Sequence, residues 1–362
     1  MKSRQQIRKL YLVTILTNLS LTGAWVAILA ARGFSLVEIG LAETVFHICS
    51  LIFEIPSGIL ADLYGRKRML ALGRVAAMTG DLIMILSRGL GMVCLSFVFH
   101  AMSYNFASGS GEALAYDSLK EDGRESSYEG YVSTSSILYR LFGGISTLCA
   151  GLALVLGYRI AYGISIIGNA IALSATLLLE EKKPEQTKGE IQSLPRKIWD
   201  HFAETFRFLR QQKRALLLML TNGLIGAFDI LLLFFLQAKL PQAGTPNTLL
   251  GPLLFAMELG GVLGAQVVLH MKKVRYRHVT LLSLGLVLAG MFLEHTGLYL
   301  VMAAGGFLSS FADDMLQIRS DAKLNDMFPS AQRATLISVT SFIFSVLMIV
   351  LSPLAGWFYS VW

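Results

Sequence analysis

Eleven apolar runs constrain this chain more than any other feature. A helix needs about 20 mostly apolar residues to cross the hydrocarbon of a bilayer. Runs of roughly that length lie near 10–31, 36–56, 69–87, 90–116, 132–156 and 159–179, and again near 215–238, 248–270, 278–294, 297–317 and 334–356. Hydrophobic residues make up 54% of the 362 and charged residues only 15%, against about 25% charge in an ordinary soluble domain; mean hydropathy is +0.59. Lipid offers the backbone no hydrogen bonds, so each run must satisfy its own as a helix. The sequence therefore reads as an all-α polytopic membrane protein. The first run is too long for a signal-peptide core and lacks a small-residue cleavage site, so it is expected to stay in place.

Charge sets the orientation. With the N-terminus inside, the loops on the outer face hold only Arg32, Arg88, Arg159 and Lys239, and Arg74 and Arg140 fall within runs, so the remaining 25 of the 31 Lys and Arg face the cytoplasm. The positive-inside rule then places the N-terminus in the cytoplasm of a cell membrane. The net charge of +7 reports that asymmetry and anionic lipid, and nothing else in the chain suggests a nucleic-acid partner. Cys49, Cys94 and Cys149 are far apart inside separate runs, which gives neither a disulfide framework nor a metal spacing.

One long polar stretch, 180–214, with Pro184 and Pro195, separates six runs (1–179) from five (215–362). Within it Ile198, Phe202, Phe206 and Leu209 recur at helical spacing among Arg196, Lys197, Arg207, Arg210 and Lys213, the pattern of a helix lying on the inner leaflet. The two sides echo one another. Gly58 with Arg66 and Lys67 is matched by Gly264 with Lys272 and Lys273 at the same offsets, and Glu112–Asp117–Ser118 by Asp314–Arg319–Ser320. Such repeats build two helical bundles around one site.

The stretch Gly58-Ile-Leu-Ala-Asp62-Leu-Tyr-Gly65-Arg66-Lys67 between the second and third runs closely resembles the loop signature of the major facilitator superfamily, G-x-L-A-D-x-x-G-[RK]-[RK]. The resemblance implies that family's fold of two pseudo-symmetric helical bundles, here 6 + 5 spans, and a transport function with a small-molecule substrate and no cofactor. It also implies a cytoplasmic gate in which Gly58 and Gly65 shape the turn, while Asp62, Arg66 and Lys67 meet Asp117 of the fourth run. Family members have twelve spans; this chain runs uncharged after Arg333 to Trp362 and stops, so truncation of the last helix is expected, the alternative being an eleventh helix that ends the protein on the outer side. The fit to drug:proton antiporters is partial, since Asn105 stands where their fourth helix has Arg, and the fifth run has Gly143, Gly144 and Gly151 without the expected proline. By the same resemblance, Asn18, Tyr104, Asn105, Asn222 and Gln237 are candidates to line the cavity.

Ionisable groups inside a membrane are expensive and are default functional candidates. Glu43 and His47 in the second run share a helical face at i, i+4. They either carry a proton or fix packing. Asp229 and Glu258 are further proton-coupling candidates, beside the adjacent Asp313 and Asp314, while Asp81 in the third run ranks lower. Arg140 and Glu112 reach a similar depth from opposite chain directions, which predicts an intramembrane ion pair.

The leading functional expectation is a proton-coupled secondary transporter, a monomer, that exports small amphipathic or drug-like molecules by alternating access. Uptake of a sugar, amino acid or metabolite is the alternative within transport, and a non-transporting receptor or remnant the alternative outside it. No nucleotide-binding loop, Ser-His-Asp set or metal-ligand cluster stands out, so a gradient supplies the energy and no enzymatic chemistry is expected.

Overall fold

The structure is a computed structural model that describes residues 2–181, 196, 199, 203, 207, 210–271, 273–327 and 333–361. Among these residues there are helices and turns but no strand. The helices are α1 (Lys2–Asn18), α2 (Trp25–Ala31), α3 (Leu36–Tyr64), α4 (Arg66–Leu86), α5 (Leu90–Ala107), α6 (Ser110–Glu121), α7 (Tyr128–Leu148), α8 (Ala150–Leu156) and α9 (Tyr158–Leu177). After the linker come α10 (Lys213–Gln242), α11 (Asn247–His270), α12 (Tyr276–Glu294), α13 (Tyr299–Met327) and α14 (Arg333–Val361). The expected surface helix over Ile198, Phe202, Phe206 and Leu209 lies outside the described residues, as does Lys272 of the echoed motif.

Among the described residues eight helical stretches are long and apolar enough to cross a membrane, or nine if α7 and α8, bent by 47°, count as one. The sequence has eleven such runs, and two of them account for the difference. The run at 10–31 is broken between Asn18 and Trp25, leaving two helices each too short or too polar. The run at 297–317 is part of α13, which carries Asp313 and Asp314 and continues through Arg319 to Met327. Glycine makes another break: Gly109, at φ +68, separates α5 from α6, a conformation that costs a residue with a Cβ roughly 1–2 kcal/mol.

Packing divides the chain into two compact units, and the division does not follow the linker. The first comprises Met1–Gly23, Val45–Cys149 and Leu156–Asp200; the second comprises Ala24–Thr44, Ala150–Val155 and His201–Trp362. In the first, α4 packs on α5 and α9, and α1 on α9, α7 and α6. Leu10, Leu70, Leu114, Leu119 and Tyr131 form a buried cluster there, with Tyr11 stacked on Tyr131 at 5.4 Å. In the second, α13 packs on α11, α12 and α10, and α10 on α14. Gly260 and Gly264 let α11 reach the α13 backbone: an added Cβ would lie 3.0 Å from the Phe307 carbonyl carbon and 2.9 Å from that of Phe311. Backbone contact through small residues is how helices associate where lipid removes the hydrophobic drive between them. Large apolar side chains such as Leu281, Phe292, Val350 and Trp357 stand exposed, which suits a surface that faces lipid.

Candidate functional site

The turn between α3 and α4 is built around one glycine and one distant carboxylate. Gly65 adopts φ +98, open to glycine and strained for other residues. The Glu181 carboxylate, just past α9, accepts the Arg66 backbone N–H at 2.7 Å and the Lys67 N–H at 3.0 Å. It thereby satisfies two of the free donors at the start of α4, where the helix dipole also favours negative charge. A Cβ on Gly65 would stand 2.7 Å from Glu181 Oε2. The Arg66 guanidinium forms an ion pair with Asp117 of α6 and lies 4.0 Å from Asp62.

These groups line a polar cavity of about 770 Å³ together with Ser3, Gln6 and Lys9 of α1. Gln6 donates to the Glu180 carbonyl at 2.7 Å and accepts the Glu180 N–H at 3.0 Å. The Ser3 N–H donates to Asp122 at 3.0 Å. Ser3's hydroxyl faces the same carboxylate, and these two groups hold Asp122 below the usual carboxylate range.

A second site lies inside the other unit, where α10, α11 and α13 meet. Asp229 is 5% exposed, and Ser310 Oγ donates to it at 3.2 Å. Ser309, fully buried and with no hydrogen-bond partner, faces the same carboxyl. Asp313 rests against Gly226, where an added Cβ would be 3.2 Å from Asp313 Oδ1. Asp314 rests against Gly261, where it would be 3.0 Å from Asp314 Cγ. Glycine on α10 and α11 thus makes room for both carboxylates. Among the described residues no Lys or Arg pairs with Asp229 or Asp313. Asn222, two turns earlier on α10, has its Oδ1 buried without a partner. The group brings carboxylates, serine hydroxyls and a side-chain amide together.

A third arrangement closes the Leu36 end of α3 within this unit. An added Cβ on Gly40 would lie 2.8 Å from the Ser352 carbonyl carbon, and one on Gly356 would lie 2.8 Å from that of Leu36. Thr44 Oγ1 donates to the Ile349 carbonyl at 3.2 Å, and a Cβ on Gly151 would meet the Asn247 backbone at 2.7 Å. Here α3 touches α14, and α8 touches the start of α11, backbone to backbone.

The sequence profile of the Major Facilitator Superfamily matches residues 10–297, most of the chain. The chain belongs to the Major Facilitator Superfamily. It is therefore an integral membrane transport protein rather than an enzyme. Over 47 residues it is 43% identical to an uncharacterized MFS-type transporter, YxaM, of Bacillus subtilis (strain 168), a match that spans 13% of this chain and 12% of that relative. Solved structures share the fold along nearly the whole chain. The nucleoside transporter NupG superposes with a TM-score of 0.71 at 16% identity, over 96% of this chain and 90% of that one. A bacterial homolog of the human lysosomal transporter Spinster gives 0.71 at 15% identity, over 97% and 81%. A peptide transporter, POT, gives 0.70 at 11% identity, over 99% and 88%.

Within this superfamily member the structure brings some of the sequence candidates together and separates others. Arg66 meets Asp117 and approaches Asp62, while Lys67 contributes its backbone N–H to Glu181. Gly58 is exposed, and nothing within 4 Å would meet a Cβ there, so the turn depends on Gly65 alone. Glu43 and His47 are both buried one turn apart on α3. Glu258 is exposed on α11.

The expected ion pair between Glu112 and Arg140 is absent: both side chains are exposed and no ion pair joins them. The expectation matched depth along two runs, which does not fix whether the two side chains turn toward each other. Of the cavity candidates, Asn105 is buried and donates to Ser50 Oγ at 3.0 Å and to the Ala101 carbonyl at 2.8 Å. Asn18 donates to the Thr14 carbonyl at 2.8 Å, and Gln237 Oε1 accepts the Val26 N–H at 3.2 Å. All three are hydrogen-bonded within the protein. Tyr104 is exposed, with Phe46 6.0 Å away.

One group escaped the sequence reading, and another was ranked low in it. Glu181 opens a polar linker and carries no motif of its own. Asp81 is buried, accepts from Ser165 Oγ at 2.8 Å and lies 3.5 Å from His100 Nε2, a cross-link of α4, α5 and α9 that its position in the third run only hinted at.

Proposed function

We propose that the protein is a proton-coupled antiporter that exports small amphipathic amines across the cell membrane, with its N-terminus in the cytoplasm. The observation that carries this reading is the buried group around Asp229, in which no Lys or Arg pairs with Asp229 or Asp313 among the described residues. A buried carboxylate without a cation costs several kcal/mol, and either a proton or the ammonium of a substrate can offset that cost. Both cannot occupy one carboxylate together. Exclusive occupancy ties the return of a proton to the departure of a cation, which is the requirement for exchange. Asp313 and Asn222 Oδ1 add acceptors for a donor-rich ligand, and the transporter fold supplies the alternating access.

The experiment is uptake of doxorubicin, an amphipathic amine, into proteoliposomes under an imposed pH gradient. Gradient-driven accumulation in the wild type, lost in Asp229→Asn and kept in Glu43→Gln, supports Asp229 as the coupling site. Loss only in Glu43→Gln moves the site to Glu43 and His47. No driven accumulation of any amine sinks the reading. Orientation is tested in a protein lacking Cys49, Cys94 and Cys149: an impermeant thiol reagent applied to cells should label Thr248→Cys and spare Ser126→Cys.

A second reading has its own support. Glu112 on α6 and Arg140 on α7 are exposed charges of opposite sign, a combination that suits a zwitterion, and fold relatives include nucleoside and peptide transporters. Uptake of a small zwitterion predicts that a dipeptide, and not an amine, drives counterflow.

A further inference from the structure

A second buried carboxyl lies where α12, α13 and α14 meet, and the coupling scheme above does not use it. Glu294, the last residue of α12, is 4% exposed. Its Oε2 accepts from the Tyr359 hydroxyl of α14 at 2.5 Å, and its Oε1 is buried without a hydrogen-bond partner. The Tyr359 ring stacks on Phe235 of α10 at 5.3 Å and on His295 at 5.9 Å. Tyr359 also forms one wall of an apolar cavity of about 340 Å³ whose other walls include Phe228, Met291 and Trp357. Glu294 meets Tyr359 from α14 and Gly305 from α13, with Asp229 of α10 the charged group acting on it and His295 its neighbour in the chain. No Lys or Arg pairs with it among the described residues.

Glycine contacts fix its distance from the coupling group. A Cβ on Gly305 would lie 3.2 Å from Glu294 Cγ, so Glu294 rests on that turn of α13. Ser309, one turn further along the same face, is the buried hydroxyl without a partner that faces Asp229. Gly290 of α12 looks onto both turns: its Cβ would be 2.7 Å from the Gly305 carbonyl and 3.6 Å from Ser309 Cβ. At 1.5 Å rise per residue, Glu294 and Ser309 are therefore separated by about 6 Å along α13. Two carboxyls with a rotatable hydroxyl between them, in an apolar interior without a cation, form a line along which a proton can pass. Tyr359 lies three residues beyond Gly356, which rests on Leu36, so Glu294 sits toward the Leu36 end of the helices.

We propose that Glu294, held by Tyr359, is a second proton-binding site that loads Asp229 through Ser309. The proposal rests on the proton-coupled reading. A proton from water at the Leu36 end binds the Glu294 carboxylate. Through one water bridging the roughly 6 Å between them, Glu294 passes it to Ser309 Oγ as Ser309 gives its own hydroxyl proton to the Asp229 carboxylate, so negative charge moves from Asp229 to Glu294 and no electrons change hands. Tyr359 stabilises the ionised Glu294 by its hydrogen bond until water reloads it.

The test uses the full chain in proteoliposomes, with doxorubicin as the exchanged cation and entrapped pyranine to report protons. In Glu294→Gln, doxorubicin binding should persist while pH-driven transport slows by roughly 100-fold, the scale set by removing a proton-transfer group. Glu294→Asp should recover much of that loss, and Tyr359→Phe and Ser309→Ala should each slow the driven rate and displace its pH optimum. A wild type that no pH gradient drives overturns the coupled reading, and Glu294's role with it. A driven wild type matched by Glu294→Gln overturns this inference alone. Should Glu294→Gln fail to fold, an unchanged driven rate and pH profile in both Tyr359→Phe and Ser309→Ala overturns it equally.

Discussion

The carboxylate of Glu181 accepts the backbone N–H of Arg66 at 2.7 Å, and with the Lys67 contact it closes the start of α4 from a position 115 residues away in sequence. The signature loop is therefore tied to the end of α9 as well as to the acid on α6. Its geometry is cooperative: Gly65 must be glycine both for its φ and because Glu181 occupies the space a Cβ would need.

Substitutions at the two signature glycines should accordingly differ. Gly65→Ala forces a positive φ, about 1–2 kcal/mol, and pushes Glu181 off the N–H groups, a capping loss of about 1 kcal/mol. Gly58→Ala meets nothing within 4 Å and replaces a helical glycine, so it should be neutral or raise stability by a few tenths of a kcal/mol. Thermal unfolding in detergent should show Gly65→Ala and Glu181→Ala lowered and Gly58→Ala unchanged. Equal losses at both glycines would refute the capping account.

How much of this was legible in advance depends on how far apart the partners are. Most of the spans were readable because lipid imposes length and composition on each helix separately, the runs at 10–31 and 297–317 excepted, and the loop was readable because its residues are contiguous. Glu181 was not, since a linker glutamate acquires a role only when α9 ends beside α4. The Asp229 group was half readable: each acid stood out in its run, but their meeting depends on Gly226 and Gly261 admitting carboxylates between α10, α11 and α13. The Glu112–Arg140 pairing failed because equal depth along two runs does not by itself bring two side chains together, and both are exposed without meeting.

Asp122 gives a pH signature to the α1 attachment. Its carboxyl is held below its ordinary value, about 3.9, by the Ser3 hydroxyl and backbone N–H. A depressed value in the folded state means that the tie is fully present above the ordinary value and is lost as pH falls through the lower, folded one. Amide protection of the first turn of α1 should drop over that acid range in the wild type. In Asp122→Asn it should be low throughout; full protection in the mutant would show that Ser3 is held by other contacts.

The contact between α3 and α14 predicts a conformational probe. Ser352 is buried, and Gly356 lies against Leu36 with no room for a side chain. In a protein without its native cysteines, Ser352→Cys should resist an impermeant thiol reagent. Adding Gly356→Val should separate the two helices, expose the thiol and reduce transport. A thiol that stays unreactive in the double mutant would mean the helices accommodate valine without parting.

The ion pair of Arg66 with Asp117 should matter to cycling more than to stability. The two side chains are 27% and 54% exposed, and pairs this wet contribute between zero and about 1 kcal/mol because water and salt screen them. Arg66→Ala and Asp117→Ala should thus unfold within a few degrees of the wild type. Transport should nonetheless fall in both, because a weak pair that must form and break once per cycle sets the relative populations of two conformations even when it adds little to folding. Exchanging the charges, Arg66→Asp with Asp117→Arg, should restore part of the activity that either reversal alone abolishes, and raising the salt concentration should weaken the wild type toward the single mutants. If the exchanged protein is as inactive as the single reversals while remaining folded, Arg66 serves the loop through its backbone contact with Glu181 and not through its charge.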